Sequence, residues 1–168
     1  VHLDTFFIDR HEVTVGYYRA CIDAGVCVGP QLPDPGEEMD EQCNWLHGDR
    51  DDHPINFVSW EQAHTFCAWL GGRLPTEAEW EKAATGGCEH HGAVATCQEA
   101  MPSWPWGLWP GEWSDKQSSI CDYAVMNDAC EDGAGCCTGL TSSVGSLPSG
   151  ASPYGVLDMA GNVSEWVS

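Results

Sequence analysis

Ser59-Trp-Glu-Gln-Ala-His-Thr-Phe-Cys-Ala-Trp-Leu-Gly-Gly-Arg-Leu-Pro-Thr-Glu-Ala-Glu-Trp-Glu81 carries two helix starts in one short stretch. Ser59 followed by Gln62 is a capping box, in which each side chain satisfies the other residue's backbone N–H. Ala63, Phe66, Cys67 and Leu70 then recur at helical spacing, and Gly71-Gly72 stops the run. Thr76 followed by Glu79 is a second box, with Trp80, Ala83 and Ala84 on one face and Gly86-Gly87 as the stop. The pattern predicts two short capped helices joined by Gly-Gly-Arg-Leu-Pro. Arg73 and Glu79 are expected to form a buried ion pair tying them together. Glu77, Glu79 and Glu81 lie where carboxylates complement the helix dipole, and read as structural.

Upstream, Leu3 to Asp9 is apolar and β-prone and predicts a strand. Thr14 then caps a short helix over Val15–Ala24, with Gly25 as its stop. Residues 28 to 54 hold prolines and acids with little periodicity and read as a long loop pinned at Cys43. Downstream of residue 86, Gly, Pro, Ser and Trp dominate and irregular structure is expected. His90-His91 has no second ligand pair at metal spacing and reads as a surface loop. Trp104, Trp106, Trp109 and Trp113 either stack on sugars or fill a loop-rich core, Trp106 reading as packing.

The 168 residues hold 26 acidic side chains against 6 Lys and Arg, a net charge of -20. That charge argues against nucleic acid and anionic membrane surfaces, which are themselves polyanions. The chain is 42% hydrophobic, too apolar for a disordered acidic segment. No apolar run is long enough for a transmembrane helix. No basic, then apolar, leader opens the sequence at Val1, so a mature or trimmed chain is expected. One domain spanning 1–168 is the expectation at this length. Ten cysteines with no Cys-x-x-Cys spacing point to disulfides in an oxidising compartment rather than to a zinc ribbon. The candidates are Cys21, Cys27, Cys43, Cys88, Cys97, Cys121, Cys130, Cys136 and Cys137, with connectivity left open. Cys21 and Cys27 close a short turn. Cys67 sits inside a helical pattern and is the candidate free thiol.

Three segments together resemble one family. They are Phe7-Ile-Asp-Arg-His-Glu-Val-Thr14, the block from His53 to Trp60 continuing through Gly72-Arg-Leu-Pro-Thr-Glu-Ala-Glu-Trp-Glu81, and Tyr154-Gly-Val-Leu-Asp-Met-Ala-Gly-Asn-Val-Ser-Glu-Trp166, with Pro105-Trp-Gly107 between the last two. In this order the sequence resembles the formylglycine-generating enzyme, or sulfatase-modifying factor, family. The resemblance implies an α+β, C-type-lectin-like fold, loop-rich and poor in regular sheet, of which this chain is the middle part. It implies a structural Ca2+ site at Asp158, Gly161, Val163 and Glu165, two carboxylates with two main-chain carbonyls suiting a hard cation. The alternative is that Asp158 and Glu165 only bond backbone amides at a turn. A second calcium site is implied near Ala124 and Val125, where the Met126 carbonyl remains available and Asn127 or Asp128 would have to substitute. The copper-binding, oxidising cysteine pair of the enzymes falls in a segment expected after Ser168, so no catalytic residue is assigned here. Two functions follow. One is a secreted, periplasmic or cell-surface, non-catalytic module that is calcium-stabilised and binds a protein or glycan, or a second chain completing the fold. The other is a copper-dependent oxidase converting a sulfatase cysteine to formylglycine.

Overall fold

The structure is a computed structural model and describes residues 3–32, 41–91, 104–107, 120–126 and 139–168. Helix α1, Val15–Asp23, starts where Thr14 Oγ1 accepts the Tyr17 N–H at 3.2 Å. It ends as Gly25 turns to φ 73°, a conformation glycine adopts without a Cβ penalty. Helix α2, Trp60–Trp69, opens on the full Ser59–Gln62 capping box. Helix α3, Glu77–Thr85, opens on the Thr76–Glu79 box. Lys82 in its last turn complements the helix dipole. A single turn, α4, follows at Cys88–His91, and 3-10 turns lie at Asn44–Leu46, Ile120–Asp122 and Pro148–Gly150.

Two apolar clusters organise these elements. In the first, Tyr18 of α1 stacks on Phe66 of α2 at 5.5 Å, with Cys21 and Cys27 beside them and Val13, Ile22, Trp45 and Ile55 around. In the second, Ala83 and Ala84 of α3 meet Val156 and Met159, flanked by Ile8 and Trp80. Two small residues on α3 let the closing segment lie close against the helix. That segment is stitched on along its length. Leu157 N–H donates to Arg10 O at 2.7 Å, Asn162 N–H to Val125 O at 2.8 Å, and Ser168 N–H to Pro75 O at 2.9 Å. The indoles lock reciprocally: Trp166 Nε1 donates to Val58 O at 3.0 Å and Trp60 Nε1 to Val167 O at 2.9 Å.

The loop around Cys43 is anchored by a fully buried Asn44. Asn44 Nδ2 donates to Pro54 O at 2.8 Å, while its Oδ1 accepts from Arg50 at 3.1 Å and Thr141 at 3.0 Å. Such a side chain substitutes for the sheet ladder that the segment lacks, because buried polar backbone must be paired.

Two expectations are corrected. Residues 3–9 form no strand. A strand exists only when a neighbour completes its hydrogen-bond ladder, and no described backbone group bonds to residues 3–9. The β pairings among the described residues are isolated bridges, Thr14 with Pro54 and Trp104 with Gly107. The Arg73–Glu79 pair does form, bidentate at 2.7 Å for both bonds, but it is not buried as a pair. Glu79 is 10% exposed and Arg73 59%, so the guanidinium roofs a buried carboxylate from the solvent side.

Cys21 and Cys27 are bridged to each other, and Cys88 and Cys121 are each in a disulfide, though not with one another. Cys43 is fully buried. Cys67 is a half-buried free thiol, pushed up from the usual thiol range by burial and by Asp9. Cys97, Cys130, Cys136 and Cys137 lie outside the described residues, as do Trp109 and Trp113. His90 is part of α4 and packs edge-on against Tyr154 at 4.7 Å, rather than sitting in a free loop. Trp106 stacks between Trp104 and Tyr123, as packing.

Candidate cation site

The loop from Asp158 to Asn162 is built from backbone that side chains seldom adopt. Asp158 and Asn162 sit at φ 57° and 58°, and Gly161 at 86°. Asp and Asn are among the few non-glycine residues that tolerate this region. Each is held there by a partner. Asp158 Oδ2 accepts the Gly145 N–H at 2.5 Å. Asn162 Oδ1 accepts the Ser142 N–H at 3.0 Å, and its Nδ2 donates to Ser142 O at 3.3 Å. Gly161 is required twice over, since a Cβ there would lie 2.2 Å from Val125 O as well as being strained. The same hypothetical Cβ would lie 3.2 Å from Met126 Cγ. Met126, expected at a second site, therefore abuts the first. Asn127 and Asp128 lie outside the described residues.

Glu165 reaches back to α3, where its Oε2 accepts the Trp80 indole N–H at 2.9 Å. Burial pushes its carboxyl above the ordinary carboxylate range, the Trp80 bond opposes this, and the charge of Asp158 adds to it. The third carboxyl is Glu12, which precedes α1. Both of its oxygens are buried and receive no hydrogen bond from any described donor. Burial, then the neighbouring Asp158 carboxyl, pushes Glu12 up to about 9, with Glu165 contributing the same way. The Trp80 indole N–H reaches Glu165 and the Gly145 amide N–H reaches Asp158, while Glu12, from the other end of the chain, has no described donor. Among the described residues, no three His, Cys, Asp or Glu side chains stand in ready-made ligand geometry.

The sequence points to Asp158, Gly161, Val163 and Glu165. The charge of Asp158 acts on the Glu165 carboxyl, and Gly161, at φ 86°, turns the chain between them. Val163 lines the adjoining groove. Sequence reasoning misses Glu12 as a site residue, because its proximity to Asp158 is a tertiary fact with no local signal.

Beside the site runs a groove of about 970 Å³. Phe6, Phe7, Ile8, Leu70 and Leu74 line it, together with Glu12, Glu165 and Trp166.

A helix-and-loop scaffold with a carboxylate-lined turn at its core defines the class, and likeness to known proteins says which one. The whole chain, residues 1–168, matches the family described as sulfatase-modifying factor enzyme 1-like domain. The chain belongs to that family. It is 36% identical over 122 residues to the formylglycine-generating enzyme of Thermomonospora curvata, covering 70% of this chain and 34% of the relative. It is also 36% identical over 124 residues to the inactive C-alpha-formylglycine-generating enzyme 2 of Bos taurus, covering 68% and 32%. Among solved structures, PvdO from Pseudomonas aeruginosa matches with a TM-score of 0.61 and 29% identity, over 95% of this chain and 54% of that one. The chain spans about a third of the length of these curated relatives.

Proposed function

We propose that these residues are the core of a non-catalytic, calcium-stabilised binding module in a secreted or cell-envelope protein, built on a C-type-lectin-like scaffold and taking a protein or glycan ligand. The observation that carries the reading is the burial of both Glu12 oxygens without a described donor, within electrostatic reach of the Asp158 and Glu165 carboxyls. Buried carboxyls without partners are costly, and a hard divalent cation is the ligand that relieves several at once. The remaining oxygens of Asp158 and Glu165, the Glu12 carboxyl and the main-chain carbonyls of Gly161 and Val163 would hold it. When bound, calcium supplies charge neutralisation and fixes the turn. The disulfide between Cys21 and Cys27 supports an oxidising compartment, and no helix among the described residues is long and apolar enough to cross a membrane. A relative named as inactive supports a scaffold that persists without the reaction in that name.

The test is thermal denaturation of the 168-residue chain in calcium against chelator. At a hundred times Kd a ligand adds about 2.7 kcal/mol, which is roughly 5–10 °C for a chain of this size. Asp158→Ala is expected to abolish the shift. An unchanged melting temperature in calcium sinks the proposal.

The relatives named formylglycine-generating enzyme favour a second reading, a copper-dependent oxidase whose cysteine pair lies outside these 168 residues. Its test is copper-dependent aldehyde formation on a sulfatase-derived cysteine peptide.

A further inference from the structure

We infer that Thr141 is the positioning residue of the Asp158–Asn162 turn: it fixes the strip 141–145, whose amides hold that turn in the form that takes a cation. The inference rests on the cation reading and gives the site a support that none of its ligand candidates supplies.

The strip bonds to two different parts of the chain. Toward the turn, Gly145 N–H donates to Asp158 Oδ2 at 2.5 Å and Ser142 N–H to Asn162 Oδ1 at 3.0 Å, with Asn162 Nδ2 returning to Ser142 O at 3.3 Å. Toward the loop around Asn44, Val144 N–H donates to Asp52 O at 2.9 Å. Thr141 supplies the side-chain half of this second set.

Its hydroxyl is committed on both sides. The single proton goes to Asn44 Oδ1 at 3.0 Å, because an amide oxygen only accepts. The hydroxyl oxygen therefore accepts from His53 Nδ1 at 2.9 Å, which places the ring proton on Nδ1. Asn44 is a fixed point for this contact. It is fully buried, its Nδ2 donates to Pro54 O at 2.8 Å, and its backbone N–H donates to Asn56 Oδ1 at 3.0 Å.

The turn needs such a support. Asp158 and Asn162 sit at φ 57° and 58°, and backbone of this kind persists only where its surroundings over-determine it. Both side chains are tied to the strip. The Gly145 bond also orients the Asp158 carboxylate by engaging one of its oxygens. Outer hydrogen bonds that orient a ligating carboxylate set metal affinity nearly as much as the ligand does.

Thr141→Val keeps the shape of the side chain and removes the hydroxyl, and Thr141→Ser keeps the hydroxyl. Arg50 still bonds Asn44 Oδ1 in both, so the buried amide is not orphaned. Titration calorimetry gives the calcium dissociation constant, and nuclear magnetic resonance in chelator gives amide exchange residue by residue. Thr141→Val should weaken calcium binding roughly tenfold. It should also quicken exchange at Ser142 and Gly145 on the order of tenfold, with the helix-capped amides of Gln62 and Glu79 unchanged. Thr141→Ser should restore both. A valine variant that fails to fold, or that exchanges faster at all four amides alike, shows that Thr141 serves the fold at large and overturns the inference. A serine variant that behaves like the valine one overturns it too. Calcium binding that Thr141→Val leaves intact overturns the inference alone, whereas an unsubstituted chain that binds no calcium overturns the cation reading and the inference with it.

Discussion

Glu12 is the residue whose environment makes least sense without a ligand. Its two oxygens are buried without a described donor beside Asp158, so the folded state holds it as the neutral acid. Glu12→Gln is close to isosteric, and its amide N–H can donate to the neighbouring Asp158 carboxyl, which Glu12 reaches only by keeping a proton. In calcium-free buffer near pH 7.5 the variant is expected to be more stable by about 1 kcal/mol, the size of one satisfied buried polar group. In saturating calcium the order should reverse, since a charged ligand has been lost. Chemical denaturation with and without chelator measures both signs. A variant that is destabilised in both buffers would mean that Glu12 serves packing and not the cation. Glu12 is illegible as a site residue in the sequence because it meets Asp158 across 146 positions of chain, 158 minus 12. The Asp158 turn is more legible, because Asp, Gly and Asn at neighbouring turn positions write their backbone needs into the sequence.

At the scale of elements, α1, α2 and α3 are readable because their signals are local. Thr14, Ser59 and Thr76 each cap the helix that their spacing predicts. The strand expected over residues 3–9 is not, because β-propensity describes a segment and a ladder requires two. The α3 start also carries a pH dependence. Two Arg73 bonds, then the Thr76 N–H, hold the Glu79 carboxyl down at about 2. A carboxyl lowered in the folded state contributes stability that is present above its ordinary value near 4.5 and is lost as pH falls through about 2. Arg73→Met removes the larger cause and keeps the aliphatic stem. Its Glu79 should protonate at higher pH, so the midpoint of acid unfolding, followed by circular dichroism, should move upward. Coincident acid titrations of the two proteins would show that the cap alone holds Glu79.

For the whole molecule the charge of -20 acts on every measurement of the cation site. Like charges spread over a compact surface repel, and expansion on unfolding relieves that repulsion. Any salt therefore stabilises this chain to some degree, and a divalent ion does so at lower concentration than sodium. Screening is nearly uniform over exposed acids, with a Debye length of about 3 Å at 1 M salt against about 10 Å at 0.1 M. The buried Glu12 oxygens and the buried Asp158 answer differently, because they are already out of reach of the ion atmosphere, whereas Glu165 lies at the surface. The unsubstituted chain in chelator should gain a few degrees of melting temperature between 0.1 and 1 M sodium chloride, and Asp158→Ala should gain the same. Calcium added at constant ionic strength should then give a further increment in the unsubstituted chain only. Should sodium chloride alone reproduce the whole calcium effect, or should Asp158→Ala keep the calcium increment, the stabilisation belongs to the acidic surface and not to Glu12, Asp158 and Glu165.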